Sequence, residues 1–320
     1  MLNQRKFLKT IIESAKCLII FTLCNFSACN RVLPPVTDPV LSEFEGAKSA
    51  GEIDNPDIDE ASGLIASGNF PGMLWTHNDS GDKNRIFLID NTAKWKGTYY
   101  LNNAENRDWE DIAISHFSDN ENYLFIADIG DNDASYNNDY RIYKVKEPKV
   151  LPTAGSDQYL NNVETIRFKY ADGSRDAETL LVDHATKDLY IVTKREARIR
   201  VYQIPYPQST TSINTAVFIK ELPIGGELTG IPTGATGGDI SSDNTEIIIK
   251  NYFQIFYWKL KKNETIKDGL SRIYDKLLPY TPAPQEEGLC FDSNNNGYFT
   301  IGESGGKGNI VKLYFYKKKL

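Results

Sequence analysis

The chain has 320 residues, 40% hydrophobic, 12% aromatic and 25% charged, with a formal net charge of −7. Those proportions exclude collagen-like, disulfide-dense and wholly disordered chains, and the acidic balance argues against a nucleic-acid partner. With 18 Tyr and 15 Phe against 2 Met, the composition points to β-structure rather than a helical bundle.

Residues 1–28 read as an export signal. Arg5, Lys6, Lys9 and Lys16 make a basic start, and the run CLIIFTL (17–23) is apolar but too short to span a bilayer. FSAC (26–29) then places small residues before a cysteine. The segment resembles a bacterial lipoprotein signal, which implies cleavage before Cys29 and lipid on its thiol. An ordinary signal peptide cut nearby, or an uncleaved anchor, is the alternative. Residues 29–50 carry three prolines and no sustained period, which predicts a lipidated Cys29 followed by a flexible tether. A single domain is expected over 51–320. Cys17 and Cys24 leave with the signal, so only Cys290 remains, in GLCF. No intramolecular disulfide is then possible, and a buried thiol is expected.

The domain reads as a repeat. EASGLIAS (60–67), DWEDIAIS (108–115), DAETLLVD (176–183), ATGGDISS (235–242) and EEGLCFD (286–292) each run from a polar cluster into small and aliphatic residues. Turn-like stretches follow, rich in Gly, Asn, Asp and Pro. Second strands come next: MLWTHND, YLFIADIGD, LYIVTKRE, IIIKNYF and GYFTIGES. Third strands are RIFLID, YRIYKVKE, RIRVYQI, IFYWKL and IVKLYFY. Fourth strands are visible at 97–101, 164–170, 216–222 and 271–277. The markers Glu60, Glu110, Glu178, Thr236 and Glu287 are spaced by 50, 68, 58 and 51 residues. This is the pattern of an all-β fold, a five-bladed β-propeller of four-stranded blades with almost no helix. Six blades is the alternative, with the long 110–178 interval hiding one. The last unit lacks a fourth strand, which residues 41–55 could supply.

Neighbouring strands in a blade run antiparallel, so the start of strand one lies beside the end of strand two. Two sets of residues therefore converge on one face. The inner set is Glu60, Ser62, Glu110, Asp111, Asp176, Glu178, Thr236, Glu286 and Glu287. The outer set is Asn78, Asp79, Asp128, Asp131, Asn132, Lys194, Arg195, Lys250, Asn251, Glu303 and Ser304. A carboxylate ring around a narrow channel repels itself unless neutralised. Hard oxygen ligands in excess favour Ca²⁺, or alternatively Mg²⁺, over zinc. The three histidines, His77, His116 and His184, have no ligand-like spacing. The competing reading is that each acid caps a blade by accepting backbone N–H bonds.

The order Ser, Glu, Glu, Thr, Glu on successive inner strands resembles the five-bladed calcium-activated apyrase propellers. That resemblance implies one Ca²⁺ in the central tunnel, held by Ser62 in EASGL, Glu110 in DWED, Glu178 in DAE, Thr236 in ATGG and Glu287 in EEG. Lys250 in IIIKN is similar to that family's strand-end lysine. DWEDIA, DIGDN and NDSG look more like a broad group of secreted bacterial propellers.

Other signals read as structure. DSNNNGYFTIGE (292–303) fits the EF-hand spacing, but its flanks are strands, and a strand from Gly297 carries Glu303 roughly 20 Å away at about 3.3 Å per residue. DIGDNDASYNND (128–139) is a second acidic loop, either a separate ion site or a solvated Asx-rich turn. Trp75 and Trp258 are expected between blades, whereas Trp109 borders the acidic ring and could line a ligand pocket. No nucleophile elbow, Walker loop or Rossmann fingerprint appears in the sequence.

Two functions fit. One is a monomeric binding or scaffolding module, exported and lipid-anchored to the bacterial cell envelope, periplasmic or at the surface, with the metal stapling its channel. Its partner would be an envelope protein, a glycan or a phosphate-containing small molecule, with the membrane met only through the anchor. The other is a calcium- or magnesium-dependent phosphohydrolase of phosphoanhydrides or phosphomonoesters. Asp79, Asp111 or Asp131 would be its base, and Arg107, Lys194, Arg195, Lys250 and Asn251, with Trp109, would bind the ligand. A lactonase-like site around His77, Asn78 and Asp79 is a third, narrower possibility.

Overall fold

The computed structural model describes residues 43–153, 156–224, 234–282, 285–304 and 309–319. Cys29 and the proposed signal lie outside these residues. The chain enters with β1 (Lys48–Glu52) and then builds blade one from β2 (Ala61–Ala66), β3 (Met73–Asn78), β4 (Arg85–Asp90) and β5 (Trp95–Leu101). Blade two uses β6 (Trp109–His116), β7 (Asn122–Asp128), β8 (Tyr140–Lys146) and, after β9 (Asp157–Leu160), β10 (Glu164–Tyr170). Blade three is β11 (Ala177–Val182), β12 (Leu189–Thr193), β13 (Ile199–Ile204) and β14 (Asn214–Leu222). Blade four is β15 (Gly237–Ile240), β16 (Glu246–Lys250), β17 (Ile255–Lys259) and β18 (Lys276–Leu278), with α1 (Ile266–Leu270) before its last strand. Blade five is β19 (Gly288–Phe291), β20 (Gly297–Ile301) and β21 (Lys312–Lys317).

Blade five takes its outer strand from the other end of the chain. β1 pairs antiparallel with β21, and Phe44 bridges Lys318. The first and last segments are thus tied in one sheet, which covers an edge that would otherwise be open. Phe44 is buried against Tyr298 and Tyr257. Residues 43–50, read from sequence as tether, are therefore part of the domain. Prolines made 29–50 look uniform, yet all three lie before this point.

The inner strands neighbour one another in a closed ring: β2 beside β6, β6 beside β11, β11 beside β15, β15 beside β19, and β19 beside β2. The fold is an all-β propeller. Between blades the aliphatic faces of the strands meet in buried clusters, with Trp75, Trp109 and Trp258 fully enclosed. Each fully buried aliphatic side chain there contributes roughly 1.5–3 kcal/mol.

The surplus length of the 110–178 interval goes into loops and β9 rather than a further four-stranded unit among the described residues. β9 adds to the edge of blade one, parallel to β5, and β10 pairs parallel with β14 so that blades two and three share a continuous sheet. These edge pairings have no sequence signature. The β19–β20 connection is a hairpin turn in which Asp292 accepts from Asn294 and Asn296 backbone N–H groups, as expected in place of an EF-hand. Cys290 is buried and unbridged, and burial raises its thiol pKa well above normal.

Candidate metal centre

The inner strands are not regular at the end where they begin. Pairing of β2 with β3, β6 with β7 and β11 with β12 shifts by one residue, between Ala61 and Leu64, Trp109 and Asp111, and Ala177 and Thr179. The extra residue breaks the strict alternation of faces and re-aims the side chains there. Ser62, Glu110 and Glu178 sit at these bulges. Gly63 lets blades one and two close up, since a Cβ there would lie 2.4 Å from His77 Nε2 and 2.7 Å from the Ile112 nitrogen.

Glu110, Glu178 and Glu287, from blades two, three and five, each bring a carboxylate oxygen within 4.8 Å of the others. They are only 4, 3 and 4% exposed. Asp79, Asp108 and Glu110 form a second such triad, and Asp79, Glu287 and Glu303 a third. Six acids therefore form one connected cluster. Burial raises the carboxyl pKa of Glu110 well above normal and that of Asp79 above normal, and pushes those of Asp108 and Glu303 up to about 7, helped by neighbouring carboxylates. Gly130 abuts the cluster: a Cβ there would lie 2.1 Å from Glu110 Oε1 and 2.4 Å from Asp108 Oδ2.

Lys194 supplies positive charge inside the ring. Its ammonium pairs with Glu178, lies 3.9 Å from Glu287 Oε1, and donates to the Tyr252 hydroxyl at 3.3 Å. Tyr252 in turn donates to Glu287 Oε1 at 2.5 Å. The other oxygens, Glu178 Oε2 and Glu287 Oε2, are buried with no hydrogen-bond partner. An all-oxygen donor set with orphaned lone pairs fits a hard divalent cation. Ser62 adjoins it by donating from Oγ to the Glu110 carbonyl at 2.7 Å. Thr236 Oγ1 accepts from Lys250 Nζ at 3.3 Å.

Other residues assigned from sequence are engaged in contacts within or between blades. Asp111 accepts from the Ile112 and Leu180 backbone N–H groups, both at 2.9 Å. Asp131 accepts from Ser135 N at 2.6 Å and from the hydroxyl of Tyr140, the first residue of β8, at 2.8 Å. Arg107 pairs with Asp128 at 2.7 Å and lies over the Tyr136 ring. Arg195 pairs with Asp176 at 2.5 Å. Lys250 is fully buried and donates to the Glu286 carbonyl, and burial lowers its pKa to about 8. Asn251 caps a turn through Phe253 N and Gln254 N. Trp109 is wholly enclosed, edge-on to His77, with its indole N–H on the Glu105 carbonyl at 2.9 Å. The bordering position inferred for it is real, but the ring points into the blade packing. His77 Nδ1 lies 2.9 Å from the Asn78 carbonyl, and burial lowers the imidazole pKa to about 4.

Sequence reasoning placed Asp79 and Glu303 on this face but outside the metal set. It missed Asp108 and Tyr252. Asp108 stands two before Glu110 in DWED, just ahead of β6; Tyr252 carried no signal. At the opposite end of the channel a cavity of about 360 Å³ is lined by Ser115, His116, His184 and Asp239 among others. His184 Nε2 is within 3.2 Å of the Ile240 carbonyl there.

No family model matches the chain, and no curated protein matches it. Among solved structures, a luciferin-regenerating enzyme is similar at 9% identity and a TM-score of 0.45, covering 86% of this chain and 97% of that one. The Cps50 (Swd1) β-propeller domain of Myceliophteria thermophila is similar at 8% identity and 0.41, covering 84% and 99%. Hydrazine synthase of Kuenenia stuttgartiensis is similar at 12% identity and 0.39, covering 79% and 70%. The sheets and the closed ring of inner strands define the class of this protein as a β-propeller.

Proposed function

We propose that the strand-start end of the channel holds a divalent cation, Ca²⁺ or alternatively Mg²⁺, and that the protein is a cation-stapled binding propeller. The observation that carries this reading is the convergence of Glu110, Glu178 and Glu287 from three blades, with the buried Oε2 atoms of Glu178 and Glu287 left without hydrogen-bond donors. A cation there links three blades at once. The surrounding face then docks an envelope protein, a glycan or a phosphate-containing small molecule. Export and lipid anchoring through Cys29 complete the proposal and rest on the leader alone.

The engagement of Asp111 and Lys250 in blade-to-blade contacts, and of Arg107 and Arg195 in ion pairs with Asp128 and Asp176, favours binding over hydrolysis. The phosphohydrolase reading keeps Asp79, which belongs to two triads and is only half-buried. The deciding experiment is thermal melting of chelator-treated protein with Ca²⁺ or Mg²⁺, followed by an assay of phosphate release from ADP, pyrophosphate and a phosphomonoester. A melting shift without turnover is expected. Absence of any shift sinks the cation site, and turnover lost in Asp79→Asn would replace the binding reading with the enzyme.

A further inference from the structure

We infer that the channel mouth takes two divalent cations, the second held by Asp79 and Glu303 with Glu287 shared between the two. The inference rests on the cation site proposed above and extends it. Asp79 follows β3 in blade one, and Glu303 follows β20 in blade five. The seam between these blades brings them together: Asp79 N donates to the Glu60 carbonyl at 2.9 Å, Ser304 N donates to the Asp59 carbonyl at 2.8 Å, and Glu60 bridges Glu303. Their carboxylates lie with that of Glu287 inside a 4.8 Å triad that shares only Glu287 with the Glu110–Glu178–Glu287 triad.

Two observations point to a ligand there. First, Glu287 is 4% exposed, belongs to both triads, and has only Oε1 engaged by Tyr252, so its Oε2 is a buried acceptor with no donor. A carboxylate with one free oxygen between two oxygen clusters suits a bridging ligand. Second, no salt bridge reaches Asp79 or Glu303 among the described residues, and Lys194 pairs on the Glu178 side. With one divalent ion in the first triad, these two acids sit in a partly desolvated position with no ion-pair partner, where a proton or a second cation must neutralise them.

The test is stoichiometry. Full-length protein is titrated with Ca²⁺ by calorimetry and with Mn²⁺ by electron paramagnetic resonance. Two ions per chain are expected, with the Mn²⁺ signal broadened by spin coupling. Glu303→Gln is expected to bind one ion and lose the broadening. Asp79→Asn serves the same purpose if Glu303→Gln fails to fold by circular dichroism. One ion in the unmodified protein overturns the two-cation inference and leaves the proposed function standing. Two ions retained in Glu303→Gln, or in Asp79→Asn when that variant stands in for it, also overturn it. No ion bound at all removes both.

Discussion

Glu110 and Asp111 are neighbours on β6, both acidic and both buried, and their surroundings are opposite in kind. Asp111 reaches across to blade three and has a backbone N–H on each oxygen, from Ile112 and Leu180. Asp239 does the same between blades four and five, accepting from Ile240 N at 2.7 Å and Phe291 N at 2.8 Å. These two acids form a belt within the channel wall whose hydrogen-bonding is complete. At the mouth, Glu110, Glu178, Glu287 and their neighbours face one another with one lysine among them. Burial of a carboxylate therefore does not by itself mark a site. What separates the two regions is whether the protein supplies donors.

The largest expected effect tests the belt. Asp111→Ala and Asp239→Ala each strand two buried N–H groups, at about 1–3 kcal/mol per group. Either variant should lower the chelator-treated melting temperature severely or prevent folding. Glu110→Gln, which relieves like-charge repulsion and leaves the Lys194–Glu178 pair in place, should melt near the unmodified protein under the same conditions. If Asp111→Ala melts normally, the belt is not structural and the contrast collapses.

Next in size is the cation response. A ligand bound only by the folded state stabilises it by about 2.7 kcal/mol at one hundred times its Kd. Saturating Ca²⁺ should raise the melting temperature of the unmodified protein. Glu110→Gln and Glu178→Gln should lose that rise. A rise of equal size in Glu178→Gln would move the cation away from the three-blade triad.

The blades were legible in the sequence because polar starts, turn clusters and alternating strands recur five times. β1 was expected as the closing strand for the same reason, since unit five lacked its fourth. The β10–β14 pairing and β9 were not legible, because parallel edge contacts need only exposed backbone and no particular side chains. In the site, Glu110, Glu178 and Glu287 could be picked out by position in the repeat. The division of labour between Glu110 and Asp111 could not. It depends on which oxygens meet backbone N–H groups across the blade seam, and on a register shift between Trp109 and Asp111 that strand periodicity does not foresee. Lys194 was placed on the correct face, but its reach back to Glu178 is a matter of side-chain length rather than pattern.

A third effect is pH-dependent and separates the cation-free stability from the cation-induced gain by sign. Burial raises the folded-state pKa of Asp108 and Glu303 to about 7 and of Asp239 to about 8, against ordinary values near 4 in the unfolded chain. The folded state then binds more protons than the unfolded state between these limits, so stability without cation should fall as pH rises from about 4 to about 8. Cation binding needs the mouth carboxylates ionised, so the Ca²⁺-induced shift should grow over the same range. Melting curves at pH 5, 6, 7 and 8, with chelator and with Ca²⁺, check both trends. Parallel trends in the two series would mean the cation does not compete with protons at the mouth.

The smallest effect concerns Lys194, the one positive charge paired within the mouth cluster among the described residues. Without metal its ammonium offsets part of the repulsion among Glu178, Glu287 and their neighbours. A divalent ion entering the same triad meets that charge at close range and displaces it or is weakened by it. Lys194→Met keeps most of the apolar stem and removes the ammonium, which lies 5.5 Å from the centre of the Tyr252 ring. It should melt lower in chelator and bind Ca²⁺ about three- to tenfold more tightly, up to roughly 1.4 kcal/mol. Calorimetry and melting on the same variant give both quantities. Weaker Ca²⁺ binding by Lys194→Met would mean that the lysine positions the ring for the ion. The mouth would then resemble the belt, with Lys194 filling the role that backbone N–H groups fill for Asp111.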